Sequence, residues 1–281
     1  MQLAGIDFSS RPSRRKPITV ALGRLAAGDA AAVVLERVDE HADFDSFSRW
    51  LRTPGPWLGA FDFPFGLPRE LVESLAWPGA WLPLMRHYAS LSRAEIVATF
   101  QSFCADRPIG AKFAHRACDA GSGASPSMKW VNPPVAFMLH AGVGLLLEAG
   151  VHLPQLHDGD PQRVALEGYP GLVARDLIGR RSYKSDERNK QTPERRLARA
   201  DLVGRLAAGQ GRFGIRLSLS DAQRDALVDD PSADRLDAVL CLIKAAWAVG
   251  RPRHGLPEGI DPLEGWIVGV PASEDLRLSR P

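Results

Sequence analysis

Three strand-like segments in quick succession, then one amphipathic helix and a fourth strand, restrict the fold of this chain more than any other feature. Gln2 to Phe8 (QLAGIDF), Ile18 to Leu25 (ITVALGRL) and Ala30 to Val38 (AAAVVLERV) are apolar runs. A basic loop, Ser9 to Lys16, and an Ala-Gly-Asp turn at 27 to 29 separate them. Connections that short produce an antiparallel meander. Asp43 to Arg52 places Phe44, Phe47, Trp50 and Leu51 on one side of a helix, and Trp57 to Phe63 (WLGAFDF) is a strand stopped by Pro64. A right-handed crossover through that helix lays the fourth strand parallel to the first. Their carboxyl ends then lie side by side, where open α/β sheets hold ligands.

The next stretch carries helical spacing at 69–76, 80–90, 92–105 and 133–149, with a Gly/Ser-rich break from Gly121 to Ser127. No strand alternation interrupts it, so a helical insertion is expected over about 69–160. Val164 to Glu167 reads as a fifth strand. Helices near 171–179, 193–208 and 220–228 follow, then a strong one from Pro231 to Val249 and a closing strand at Trp266 to Val270. The expected fold is α/β: a mixed five-stranded sheet, antiparallel meander plus parallel strands, with helices on both faces. At 281 residues and 45% hydrophobic content, one elaborated domain over 1–281 accounts for the chain.

The formal charge of +2 excludes a generally basic nucleic-acid coat, so any such contact must be local. Cys104, Cys118 and Cys241 are widely spaced and lack a C-x-x-C pair. That argues against a disulfide framework and a structural zinc site, and for a reducing compartment. The first residues lack a signal-peptide pattern, and no run of about 18 apolar residues occurs. The expectation is a cytoplasmic protein without membrane contact.

Asp7 sits between Ile6 and Phe8, and Asp62 between Phe61 and Phe63. A carboxylate in such surroundings loses hydration and must be paired, protonated or bound to metal. On the last helix, Leu236, Val239, Leu240, Ile243, Ala246 and Trp247 form the apolar stripe, and Asp234 and Asp237 share a neighbouring face. Asp230-Pro231 reads as N-cap and first turn, which gives Asp234 a helix-dipole role and leaves Asp237 as the better catalytic choice. Glu167 ends the fifth strand and is a further ligand, a supporting acid or a loop cap. Acids collected in this way suit Mg²⁺ or Mn²⁺, which prefer oxygen ligands; two such ions can drive an in-line displacement at phosphorus.

The segment from Arg175 to Arg205 is rich in cations, among them Arg180, Arg181, Lys184, Arg188 and Lys190. They read either as a solvated face or as phosphate contacts. The loop cations Arg11, Arg14, Arg15 and Lys16 follow Asp7 closely. Arg116 and Asp119 are either cleft residues or an ordinary i,i+3 pair.

Gly5-Ile6-Asp7-Phe8-Ser9-Ser10, Asp62-Phe63-Pro64-Phe65-Gly66-Leu67-Pro68, Glu167-Gly168-Tyr169-Pro170 and Asp234-x-x-Asp237-Ala238 together resemble the family called domain of unknown function 429, from residue 2 to about 270. That family is regarded as predicted nucleases of the ribonuclease H fold, and the acids also resemble those of RuvC-type resolvases. The resemblance implies metal-binding roles for Asp7, Asp62, Asp237 and Asp234, and a substrate-facing role for Lys184 beside Tyr183. The glutamate that many ribonuclease H enzymes carry on the first helix is missing, since that helix offers only Asp43 and Asp45. The expected function is therefore a metal-dependent phosphodiesterase or nuclease acting on nucleic acid or a nucleotide, with Asp7, Asp62, Asp237, Glu167 and Lys184 at its centre. Two alternatives share the fold. One is an actin or sugar-kinase type phosphotransferase using Asp7 to Ser10 and Asp119 to Gly123 as phosphate loops. The other is a non-catalytic nucleic-acid-binding module.

Overall fold

The computed structural model describes residues 1–272, with all their side chains except that of Arg188. The opening meander forms as expected: β1 (Gln2–Asp7) pairs antiparallel with β2 (Ile18–Ala26), and β2 with β3 (Asp29–His41). Helix α1 (Phe44–Leu51) is capped by Asp43, whose carboxylate accepts from the Ser46 amide at 2.7 Å, and it buries Phe47 and Leu51. It leads into β4 (Trp57–Phe61), which runs parallel to β1 with Phe61 opposite Ile6. The ends of β1 and β4 are therefore adjacent.

Five helices follow without an intervening strand: α2 (Arg69–Ser74), α3 (Trp81–Ser90), α4 (Arg93–Ala105), α5 (Ala117–Ser122) and α6 (Val135–Glu148). Then come β5 (Val151–His152), β6 (Asp160–Glu167), α7 (Pro170–Ile178), α8 (Pro193–Ala207), β7 (Arg216–Ser218), α9 (Asp221–Val228) and α10 (Asp234–Ala248). The sheet has seven strands in the order β5-β6-β4-β1-β2-β3-β7, two more than expected. The additional ones, β5 and β7, span two and three residues, too short to display alternation in the sequence. The expected strand at 266–270 does not form; only Ile267 bridges to Glu167, because Gly265 and Gly269 at φ 68° and 81° bend the run.

Alternation along the strands builds two cores. Leu3, Ala21, Leu58 and Ala60 pack with α7, α8 and α10 on one face, while Ala4, Ile6, Val20 and Phe61 pack with α1 and the inserted helices on the other. Helix α10 lies directly on β1. A Cβ added at Gly5 would sit 2.0 Å from the Ala238 carbonyl oxygen and 2.1 Å from the Leu242 nitrogen, so only glycine admits the helix there.

The start of α10 corrects the sequence expectation. The helix begins at Asp234, not Pro231, behind Ala233 in a left-handed conformation at φ 59°. Asp230 still serves the helix end from a distance: its carboxylate accepts from the Ser232 and Arg235 amides, each at 3.2 Å. Asp237 consequently belongs to the first turn along with Asp234.

Candidate active site

The contact at Gly5 decides where the acids meet. Asp7 is two residues further along β1, so it projects from the same face as Gly5, toward α10. Asp237 immediately precedes Ala238, whose carbonyl touches the Gly5 position. Asp62 follows β4, and its amide donates to the Ile6 carbonyl at 2.8 Å, which fixes it beside the end of β1. Asp7 and Asp62 line a cleft of about 830 Å³ together with Glu167, Lys16, Lys184 and Arg180.

Neither Asp7 nor Asp62 accepts a side-chain hydrogen bond among the described residues, and both are held in an unfavourable state. Burial first, and then the charges of Asp237, Asp234 and Asp62, keep the Asp7 carboxyl well above its ordinary range. Asp62 is pushed up to about 7, chiefly by burial, with Lys184 pulling the other way and Asp237 adding to the rise.

Asp237 is fully buried and does have partners. Its carboxylate accepts the Tyr183 hydroxyl at 2.6 Å on one oxygen and the Lys184 ammonium on the other. Burial works against the charge on Lys184, but the Asp237 carboxylate outweighs it, so the ammonium is held above its ordinary pKa. Arg199 anchors this segment from α8 by donating to the carbonyls of Tyr183 at 2.8 Å and Val228 at 2.7 Å. Asp234 accepts from Lys16 at 2.7 Å, and Lys16 also reaches Asp186 at 2.9 Å. Asp234 opens into a separate hollow that it shares with Arg14 and Arg15.

Glu167 belongs to a different group of charges. Ala165 packs with the core of the inserted helices, so alternation turns Glu167 toward that face, away from α10. There Arg116 donates to both of its carboxylate oxygens, at 2.6 and 2.8 Å, and the Phe65 amide donates at 2.9 Å. Arg116 also pairs with Asp119 at 2.8 Å and donates to the Glu264 carbonyl at 2.9 Å. Both sequence readings of Arg116 hold, since it lines the cleft and forms the i,i+3 pair.

Most of the other cations from 175 to 205 are engaged on the surface, Arg181 with Asp201, Lys190 with Glu187 and Arg196 with Asp229. The side chain of Arg188 lies outside the described residues. The cysteines are buried and free. No helix among the described residues is long and apolar enough to cross a membrane.

Two contributors were not singled out from the sequence. Arg199 is a surface-type residue on a charged helix, with no local signal of burial. Lys244 did leave a mark, as a cation within the run Leu242-Ile243-Lys244-Ala245-Ala246. It is fully buried, its pKa falls to about 8 through that burial, and its ammonium donates to the Tyr169 carbonyl at 3.4 Å.

Among the described residues, no three His, Cys, Asp or Glu side chains are grouped to hold one metal ion. The expected acids share a neighbourhood, but Lys184 and Lys16 take the positions of counter-charge at Asp237 and Asp234. By donor chemistry, Asp7 and Asp62 still fit a hard divalent cation: both are oxygen donors, near one another, and raised in pKa with no donor to relieve them. No curated protein and no solved structure matches the chain. A family model described as protein of unknown function, DUF429, matches residues 5–258, and the chain belongs to that family.

Proposed function

We propose that the cleft hydrolyses phosphodiester bonds with the aid of a divalent cation held by Asp7 and Asp62. The observation that carries this reading is the pair of unanswered carboxylates at the adjacent ends of two parallel strands, lining a cleft together with Lys184 and Arg180. The central strands, read β3-β2-β1-β4-β6, also have the antiparallel-then-parallel arrangement expected of a ribonuclease H-like sheet.

Mg²⁺ or Mn²⁺ bound there would polarise a phosphoryl oxygen and lower the pKa of a coordinated water. The protein's own groups have distinct tasks. Asp237 holds the Lys184 ammonium at the cleft, where it offsets the charge of a substrate phosphate. Tyr183 donates to the other oxygen of Asp237 and keeps that carboxylate from swinging away. Glu167 orients Arg116 along the cleft wall. The phosphotransferase alternative gains nothing from the fold. Asp119 to Gly123 lies in α5 and its turn, with Asp119 bound to Arg116 and the Ser122 and Gly123 carbonyls bound to Arg175.

The test joins Mn²⁺ titration by calorimetry with hydrolysis of a chromogenic phosphodiester. Saturable Mn²⁺ binding is expected without nucleotide, and it should disappear in Asp7→Asn and Asp62→Asn. Hydrolysis should fall on the order of 10³-fold or more in either variant. Undiminished turnover in both variants, or a wild-type protein indifferent to every divalent ion, rules the reading out.

A further inference from the structure

We infer that the cleft takes one short phosphodiester, a dinucleotide, and that Tyr169 is the ring against which a base rests; this deepens the phosphodiester reading and rests on it. The first argument is size. About 830 Å³ lies within the range of small-ligand pockets, roughly 300 to 1,000 Å³. The inserted helices contribute Pro134, Val135 and Met138 to its lining, and the segment after α7 contributes Arg180 and Lys184. Lys16 ties the loop after β1 to Asp186 and Asp234, which binds the margins of the cleft to one another.

The second argument is the division of chemistry. The lining joins apolar side chains of one chain segment with cationic side chains of another, as a ligand with a flat base and a phosphate requires. Arg180 is exposed at the rim and makes no ion pair or side-chain hydrogen bond among the described residues.

The third argument is the backbone of Tyr169, at φ 145° and ψ 92°, a region that residues with a side chain rarely occupy. Its carbonyl turns inward to the buried Lys244 ammonium, which has no other acceptor among the described residues. Its ring lines the cleft, and the Arg175 guanidinium lies over one face, 5.4 Å from the ring centroid, so a base would rest against the other. The hydroxyl is fixed at both ends, accepting from Arg175 at 2.6 Å and donating to the Gly123 carbonyl at 3.2 Å. Strain of this kind persists where a side chain must be held for function, and a fixed aromatic ring is a stacking surface for a base.

The experiment is calorimetric titration of the full chain, in chelator and without divalent metal, with a 5′-phosphorylated dinucleotide, a long single strand and its duplex. The dinucleotide should bind within about threefold of the single strand, and the duplex more weakly, with a shallow salt dependence set by one or two phosphates. Tyr169→Gly suits the positive φ and so preserves the fold; it should weaken dinucleotide binding about tenfold. Tyr169→Trp should retain it. Affinity that climbs more than tenfold with strand length, or that is unchanged in Tyr169→Gly, overturns the inference. Cleavage of long strands without dinucleotide binding also overturns it and leaves the hydrolase reading intact. Dinucleotide binding without metal-dependent hydrolysis does the reverse, and absence of both ends both.

Discussion

Glu167 borders the cleft, and with the buried Asp119 behind it shares the guanidinium of Arg116 through ion pairs of 2.6 and 2.8 Å. Asp7 and Asp62 border it from the strand ends and meet no donor among the described residues. The first group is a finished structural unit, in which one guanidinium answers both buried anions. The second has the opposite character. Burial raises the Glu167 carboxyl too, but Arg116 and the Phe65 amide act against that rise. Asp7 and Asp62 are raised by burial and by neighbouring acids, with no hydrogen-bond donor among the described residues to answer it. A fold able to pair buried acids in one group leaves them unpaired in the other, which marks the strand-end pair as the place where an outside charge belongs.

The contrast is most exposed to attack through Arg116. Arg116→Met strands two buried carboxylates, and the expected loss is about 3–5 kcal/mol, read as a lowered urea midpoint with unchanged slope. A loss under about 1 kcal/mol would erase the distinction between the two groups.

A second, smaller effect sharpens it from the other side. The Asp62 carboxyl is held near 7 against an ordinary 3.8, so between those values the folded protein keeps a proton that the unfolded chain has released. The stabilisation is complete below about pH 4 and is lost as pH rises to about 7. At roughly 1.4 kcal/mol per unit, halved for partial solvent access, the metal-free protein should lose about 2 kcal/mol over that window. Asp62→Asn should flatten the profile and be the more stable protein at neutral pH, and chemical denaturation at several pH values in chelator measures both. A profile in Asp62→Asn as steep as in the wild type contradicts the assignment.

The smallest effect belongs to Lys16, which is half exposed where it meets Asp186 and Asp234. Lys16→Ala should change stability by less than about 1 kcal/mol. A larger drop in melting temperature would make this lysine part of the structural framework, on a par with Arg116.

How much of this was legible beforehand varies with the length of the signal. The meander, the helix after it and the parallel placement of β4 beside β1 all followed from apolar runs of five residues or more joined by short turns. The meeting of Asp7 and Asp62 followed from that topology. The two- and three-residue strands β5 and β7 carry no periodicity and exist only because neighbouring strands offer unpaired edges. The start of α10 was misread because Asp230-Pro231 has the chemistry of a helix end. The chain instead makes one more turn, through Ala233, before the helix begins. The side toward which Glu167 points was missed for a different reason. Its partner Arg116 lies 51 residues earlier, and nothing local in Ala-Leu-Glu announces a distant guanidinium.

Gly5 carries a consequence for the life of the chain before it is fully made. The slot it leaves on the second residue before Asp7 is filled only by the last long helix, and that helix brings Asp237. A ribosome-bound chain that has already laid down the opening strands still lacks this third acid, together with the lysine it holds in position. The complete constellation comes into being late, when residues from opposite ends of the sequence dock through a gap one methyl group wide.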